Sequence, residues 1–389
     1  MKKNDTVTGS PPSPRGVPGI GLRRRGDPGV MARERPIRKT FLVLRLLGLL
    51  GALGIVLWGT GSDAELRKVT LTLHWYPQTQ FAGYYMAREK GFYLRRGIDL
   101  EIRRGGADVD GARELREGRT DFATMFLTGA LRFRTADLPL VNVGQIVNRG
   151  NTLIVAKKKN RILAVGDLDK RRMSLWGDVF SGAYKQLFAA RKIWPVVVPQ
   201  YFSVELFLRG AVDACCAMTY NEYIRILQAG YRPEELTVVS LRDEGCDFPE
   251  DGIYCLAPTW RQDPELCRNV LEASLEGWRY ASRHPEETVA LVQRLADGAG
   301  YTVNPLLLRH MLQAILPSIF PEAPGETWIP GTLSRQDYER TAAMMSQVFV
   351  LSGGNAPYED FVPYGADPTW GKNLRGVEVP REGEPPHAP

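Results

Sequence analysis

Residues Val69–Ile102, VTLTLHWYPQTQFAGYYMAREKGFYLRRGIDLEI, carry the pattern from which the architecture follows. Residues 69–73 alternate β-formers with a period of two and predict a strand, and residues 98–102 predict a second of the same kind. Between them Tyr85, Met86 and Glu89 fall at helical spacing and Gly91 supplies a stop, so the unit reads strand, loop, helix, strand. Two strands joined by a helix run parallel, and ligands of such sheets gather at the strand C-termini. The loop at that place, His74 to Phe81, carries the rings of Trp75, Tyr76 and Phe81 and the amides of Gln78 and Gln80, with Pro77 stiffening the turn. Aromatic faces beside uncharged hydrogen-bonding groups suit a flat, polar, ring-shaped ligand.

The chain of 389 residues has room for two lobes of ordinary size. Its net charge of +6 is misleading, because ten Lys/Arg against three acids in residues 1–40 give +7 and leave −1 for the rest. The basic balance belongs to the leader, and no nucleic-acid partner is expected for the folded part. Thr40 to Trp58 is apolar apart from Thr40 and Arg45 and follows basic residues, the pattern of a signal peptide or an uncleaved signal anchor. Met31 is the more ordinary start. No Cys follows the apolar run, so no lipoprotein anchor is expected. An extracytoplasmic location follows, with membrane attachment if the anchor stays. Of the five cysteines, adjacent Cys215 and Cys216 lie in a predicted strand, point to opposite faces and are assigned to core packing. His74, His284, His310 and His387 make no cluster with them, so no metal site is expected.

Strands and helices alternate along most of the chain. Strands are predicted at 120–126, 141–147, 152–156, 172–176, 195–199 and 212–218, and a helical block covers 263–282, 286–296, 305–314 and 334–349. This makes an α/β protein of two lobes, each a sheet flanked by helices, with the ligand cleft between them and closure by a hinge. The expected division is a basic, disordered leader over 1–39 and a signal segment over 40–61. Lobe one takes 66–156 with 258–352, lobe two takes 157–257, and a disordered Pro/Gly-rich tail fills 353–389.

Six motifs stand in the order seen in one family. They are Trp75 and Pro77 with Lys90–Tyr93 (KGFY), then 118–122 (GRTDF), 176–182 (WGDVFSG), 210–214 (GAVDA), 218–223 (MTYNEY) and 249–254 (PEDGIY). With them the chain resembles the SsuA/THI5-like (NMT1/THI5) proteins over roughly residues 68 to 350. The resemblance implies the type II periplasmic-binding-protein fold and a solute-binding protein of an ABC importer. Its partners would be a permease, an ATPase and a small ligand such as a thiamine-precursor pyrimidine, with no cofactor. A minority of the family are thiamine pyrimidine synthases, which hold pyridoxal phosphate on a lysine and consume a histidine. Laid over 120–129, that lysine falls on Met125 and the histidine on Gly129, and the synthase's cysteine cluster is absent around 247–255. A sulfonate- or nitrate-type binding protein and a membrane-tethered sensor domain are the other readings.

The candidate ligand residues follow. Trp75 and Tyr76 stack on the ring, Gln78 and Gln80 hydrogen-bond it, and Phe81 and Tyr84 face the mouth from the helix start. Met125 stands where the synthase lysine would be. Gly177 opens a strand-to-helix turn with free N–H groups, and Ser181 either adds a hydroxyl or caps the helix. From the opposite wall Tyr220 stacks and Glu222 accepts from an amino group, unless Glu222 is only a solvated group. Asp251 is a weaker candidate for the same cleft. The absence of Lys and Arg from these loops ranks a neutral ring above a sulfonate.

Overall fold

The computed structural model describes residues 65–177, 180–320, 328–348, 356–367 and 370. The strand–helix–strand unit forms as its pattern predicts: β1 is Arg67–Thr72, β2 is Ile98–Arg103, and the two are parallel. Helix Ala82–Glu89 joins them, and Gly91 ends it with a φ of +68°, a conformation open to glycine at little cost. Next come β3 (Phe122–Phe126), β4 (Leu140–Gln145), β5 (Thr152–Lys157), β6 (Arg172–Leu175) and β7 (Val196–Pro199). The set closes with β8 (Ala214–Met218), β9 (Leu236–Ser240) and β10 (Asp251–Leu256). β9 is an apolar strand absent from the sequence-based assignment above.

Two sheets result, with orders β2-β1-β3-β10-β4 and β7-β6-β8-β5-β9. In each sheet the fourth strand is antiparallel to both neighbours, and in each it is the first strand after the chain has crossed over. This corrects the expected lobe boundaries. β5, placed above in lobe one, belongs to the second sheet, and β10, placed in lobe two, belongs to the first. Neither strand can serve as a crossing, because a strand whose two edges are both laddered has no backbone groups left for a second sheet. The crossings are the loops between β4 and β5 and between β9 and β10.

Those two loops are tied together. Glu250 N–H donates to the Val147 carbonyl at 2.9 Å, and the Val147 and Ile146 N–H groups both donate to the Asp251 carbonyl at 2.9 Å. The Glu250 carboxylate accepts from Asn151 N–H at 2.5 Å and from Asn151 Nδ2 at 3.2 Å.

The helical block lies where its periodicity predicts, as Pro264–Arg283, Pro285–Gly298, Pro305–Ile319 and Arg335–Val348. Helix Pro264–Arg283 crosses helix Ala82–Glu89 at a glycine pair. A Cβ on Gly277 would meet the Gly83 carbonyl oxygen, and a Cβ on Gly83 would meet the Trp278 ring. The cysteines are all buried, and Cys215 and Cys216 pack into different apolar clusters on the two faces of β8.

The expected disordered tail also needs correcting. Helix Tyr358–Phe361 and the turn Pro363–Ala366 pack against lobe one, with Phe361, Val362, Tyr364 and Trp370 buried. The Tyr364 hydroxyl donates to Asn142 Oδ1 at 2.7 Å and accepts from Leu333 N–H at 3.0 Å. Three aromatic anchors bury enough surface to order a Pro- and Gly-rich segment. The leader and apolar segment expected over 1–61 lie outside the described residues. Among the described residues no helix is long and apolar enough to cross a membrane.

Candidate functional site

The C-terminal ends of β1, β3, β6 and β8 open into one cleft between the sheets, about 360 Å³ of space that is partly open to solvent. Lobe one contributes His74, Trp75, Gln80 and Phe126, and lobe two contributes Trp176, Phe180 and the run Met218, Tyr220, Asn221, Glu222. Phe126 and Met218 are the last residues of β3 and β8, and the others stand in the segments that follow β1, β6 and β8. Phe180 crosses from lobe two into the rings of lobe one, edge-on to Phe126 at 5.1 Å and to Trp75 at 6.0 Å between centroids.

His74 sits at the base. Its N–H donates to Thr124 Oγ1 at 3.0 Å, and its Nδ1 lies 2.9 Å from the same oxygen. Nε2 is 3.3 Å from Asp251 Oδ1 and 3.4 Å from Gln80 Nε2. Burial lowers its pKa to about 3, so the ring is neutral at physiological pH. Glu222 accepts from Met218 N–H at 2.9 Å and from Asn221 Nδ2 at 2.8 Å, and burial lifts its carboxyl to about 7. Behind it, burial raises Glu250 to about 8, although Asn151 and the Tyr220 hydroxyl hydrogen-bond its carboxylate. Asp251 is pushed well above the usual carboxylate range, first by burial and then by Glu250.

A second aromatic contact closes the mouth. Tyr76 stacks on Tyr301 at 5.0 Å with an interplanar angle of 11° and meets Phe202 of lobe two edge-on at 6.4 Å. The Tyr301 hydroxyl accepts from Gln78 Nε2 at 2.8 Å and from Arg225 Nη2 of lobe two at 3.1 Å.

Of the expected ligand residues, Trp75, Gln80, Tyr220 and Glu222 line the one cavity. Tyr76 and Gln78 are at the mouth, engaged with Tyr301. Phe81 and Tyr84 do not line the cavity; they lie in the lobe-one core, Tyr84 edge-on to Trp278 at 6.4 Å, because the first helical turn tucks its apolar side under the loop. Met125 is buried on the other face of β3 from Phe126, which takes the cavity position through strand alternation. Gly177 is exposed and Ser181 is buried at the start of helix Gly182–Arg191, both away from the cavity wall, while residues 178 and 179 lie outside the described residues. Asp251 reaches the cavity only through His74. His74, Phe126, Trp176, Phe180, Met218 and Asn221 line the cavity without having been expected to bind ligand. Trp176 and Phe180 carried the available signal, two rings after β6 just as Trp75 and Tyr76 follow β1.

Residues 78–288, more than half of the chain, match the family model described as NMT1/THI5 like. The chain belongs to the NMT1/THI5 like family. The riboflavin-binding protein RibY of Chloroflexus aurantiacus is 25% identical over 317 residues, spanning 78% of this chain and 89% of that protein. The 4-amino-5-hydroxymethyl-2-methylpyrimidine phosphate synthase of Legionella pneumophila is 21% identical over 232 residues, 58% of this chain and 72% of the synthase. Among solved structures, the periplasmic aliphatic sulphonate binding protein SsuA of Escherichia coli superposes with a TM-score of 0.53 at 15% identity, covering 72% of this chain and 86% of SsuA. The NMT1/THI5 like chain therefore has the type II periplasmic-binding-protein fold.

Proposed function

We propose that this protein is an extracytoplasmic solute-binding protein of an ABC importer whose ligand is a small aromatic heterocycle, with an aminopyrimidine as the model compound. One observation carries the ligand class: the cleft wall is made of aromatic faces with His74, Gln80, Asn221 and Glu222 between them, and contains no Lys or Arg among the described residues. A sulfonate gains most from cationic donors aimed at its oxygens, and this wall offers a neutral imidazole, two amides and a carboxyl instead. The binding-protein relative and the shared fold support the receptor role.

The synthase reading has a named relative in its favour, but the residues speak against it. Met125 and Gly129 stand where that chemistry needs a lysine and a histidine, and Met cannot form a Schiff base. Pyridoxal phosphate and iron incubated with the purified protein should yield no pyrimidine product by mass spectrometry above a heat-killed control. The ligand class is tested by thermal shift against 4-amino-2-methylpyrimidine, riboflavin and alkanesulfonates. A ligand at ~100 times its dissociation constant adds ~2.7 kcal/mol of stability. Stabilisation by the sulfonates alone would sink the heterocycle reading.

A further inference from the structure

The cleft holds more buried carboxyl groups than its cations answer. Glu222, in the wall, is bonded to Met218 N–H and Asn221 Nδ2; Arg225 reaches Asn221 Oδ1 at 2.9 Å and stops one residue short of it. Tyr184, Cys215 and Cys216 lie on its protein side and are neutral. Glu250 is held by Asn151 and the Tyr220 hydroxyl, and its charged neighbour Asp247 has the same sign and is met by Arg149 at 3.4 Å. Asp251 is 2% exposed, and its Oδ1 makes no hydrogen bond. That oxygen faces His74 Nε2 in the cavity wall at 3.3 Å, with the Tyr84 and Tyr254 hydroxyls behind it. Among the described residues no Lys or Arg lies within ion-pair distance of Glu222, Glu250 or Asp251. An unpaired buried carboxylate is costly, and a cation brought into such a site gains what the fold itself withholds.

We infer that the cleft receives its ligand as a cation: a flat aromatic heterocycle with a positively charged ring whose N–H-bearing edge meets Glu222 and whose face lies against Trp75. The proposal deepens the solute-binding reading and rests on it. The rings of Trp75, Trp176, Phe180 and Tyr220 surround that position, and a ring face attracts a cation through its quadrupole. A charge-assisted bond to Glu222 adds direction, with Glu250 and Asp251 supplying field from behind. Burial raises Glu222 to about 7 and Glu250 to about 8, and the hydrogen bonds each carboxyl accepts, with the more distant charge of Arg225 on Glu222, offset that only in part.

The test uses two probes of one shape: 4-amino-1-methylpyridinium, cationic at every pH, and 4-methylaniline, which is neutral above mildly acidic pH. By calorimetry on the mature protein at pH 8.5, the cation should bind at least tenfold more tightly. The advantage should shrink at pH 6.5, where these carboxyls are mostly protonated while 4-methylaniline is still neutral, and also in Glu222→Gln at pH 8.5. If that variant fails to fold, the pH series on the unaltered protein decides. Equal affinity for both probes at pH 8.5, or a preference for 4-methylaniline, overturns the cation inference and leaves the heterocycle reading standing. Binding of an alkanesulfonate with neither ring bound overturns both.

Discussion

Trp75 is where the loop chemistry read from the sequence meets the cavity. It is only partly buried, it touches Tyr76 and Phe180 edge-on, and its ring is free to present a face to a ligand. Losing one such stack costs ~1–3 kcal/mol, by analogy with nucleobase stacking, and 1.4 kcal/mol is a decade in affinity. Trp75→Ala should therefore weaken binding of 4-amino-1-methylpyridinium about tenfold by calorimetry. The thermal midpoint should move little, since the ring is not a core anchor. A fully retained affinity would mean that Trp75 serves only as packing for the loop. Glu222 shows the opposite lesson. Residue type and its place after a strand put it on the cleft wall, but its bonds to Met218 and Asn221 make it a structural group as well as a ligand candidate.

Among the elements, the pair formed by helices Ala82–Glu89 and Pro264–Arg283 holds the binding loop in place, because the first of them begins where that loop ends. The helices approach until Gly277 leaves no room for a Cβ, which would sit 2.0 Å from the Gly83 carbonyl oxygen and 2.7 Å from Ala87 Cβ. Backbone, unlike a flexible side-chain end, cannot yield cheaply. Gly277→Ala should thus destabilise by ~1–3 kcal/mol, the usual cost of overpacking, and lower the urea midpoint with an unchanged m-value. An unchanged midpoint would show that the helices can slide apart freely. The helices themselves were legible from periodicity. Their crossing was not, since a glycine in a helical pattern has many possible reasons and only the partner helix supplies this one.

At the scale of the whole molecule, the buried titratable groups set a pH dependence. Folding raises Glu222 to about 7 and Glu250 to about 8, so the folded state holds protons that the unfolded chain has released, and stability falls as pH rises through that range. His74, lowered to about 3, acts in the opposite sense, but only below the ordinary value of 6.5. Between pH 6.5 and 8 the carboxyls act without it. The stability of the empty protein should therefore fall across that window, by at most ~1.4 kcal/mol per pH unit for each proton released, and its thermal midpoint with it. Glu250→Gln should flatten the curve. A midpoint that climbs steadily from pH 6.5 to 8.5 would refute the assignment.

The α/β class, the parallel opening unit, the helical block and the family were all legible along the chain, because periodicity and turn chemistry are local and survive without knowledge of any partner. So were the two cleft walls, since a loop after a parallel strand faces the ligand end whatever the rest of the chain does. Folding settled which sheet β5 and β10 join, because an apolar strand carries no mark of the ladder it will enter. It likewise decided that Phe126 and not Met125 faces the cavity, that Phe361, Tyr364 and Trp370 order part of the expected tail, and that Glu222, Glu250 and Asp251 come together with no Lys or Arg ion pair among the described residues. Those outcomes are contacts between residues distant in the chain, and burial, which sets their energies, exists only once both lobes have packed.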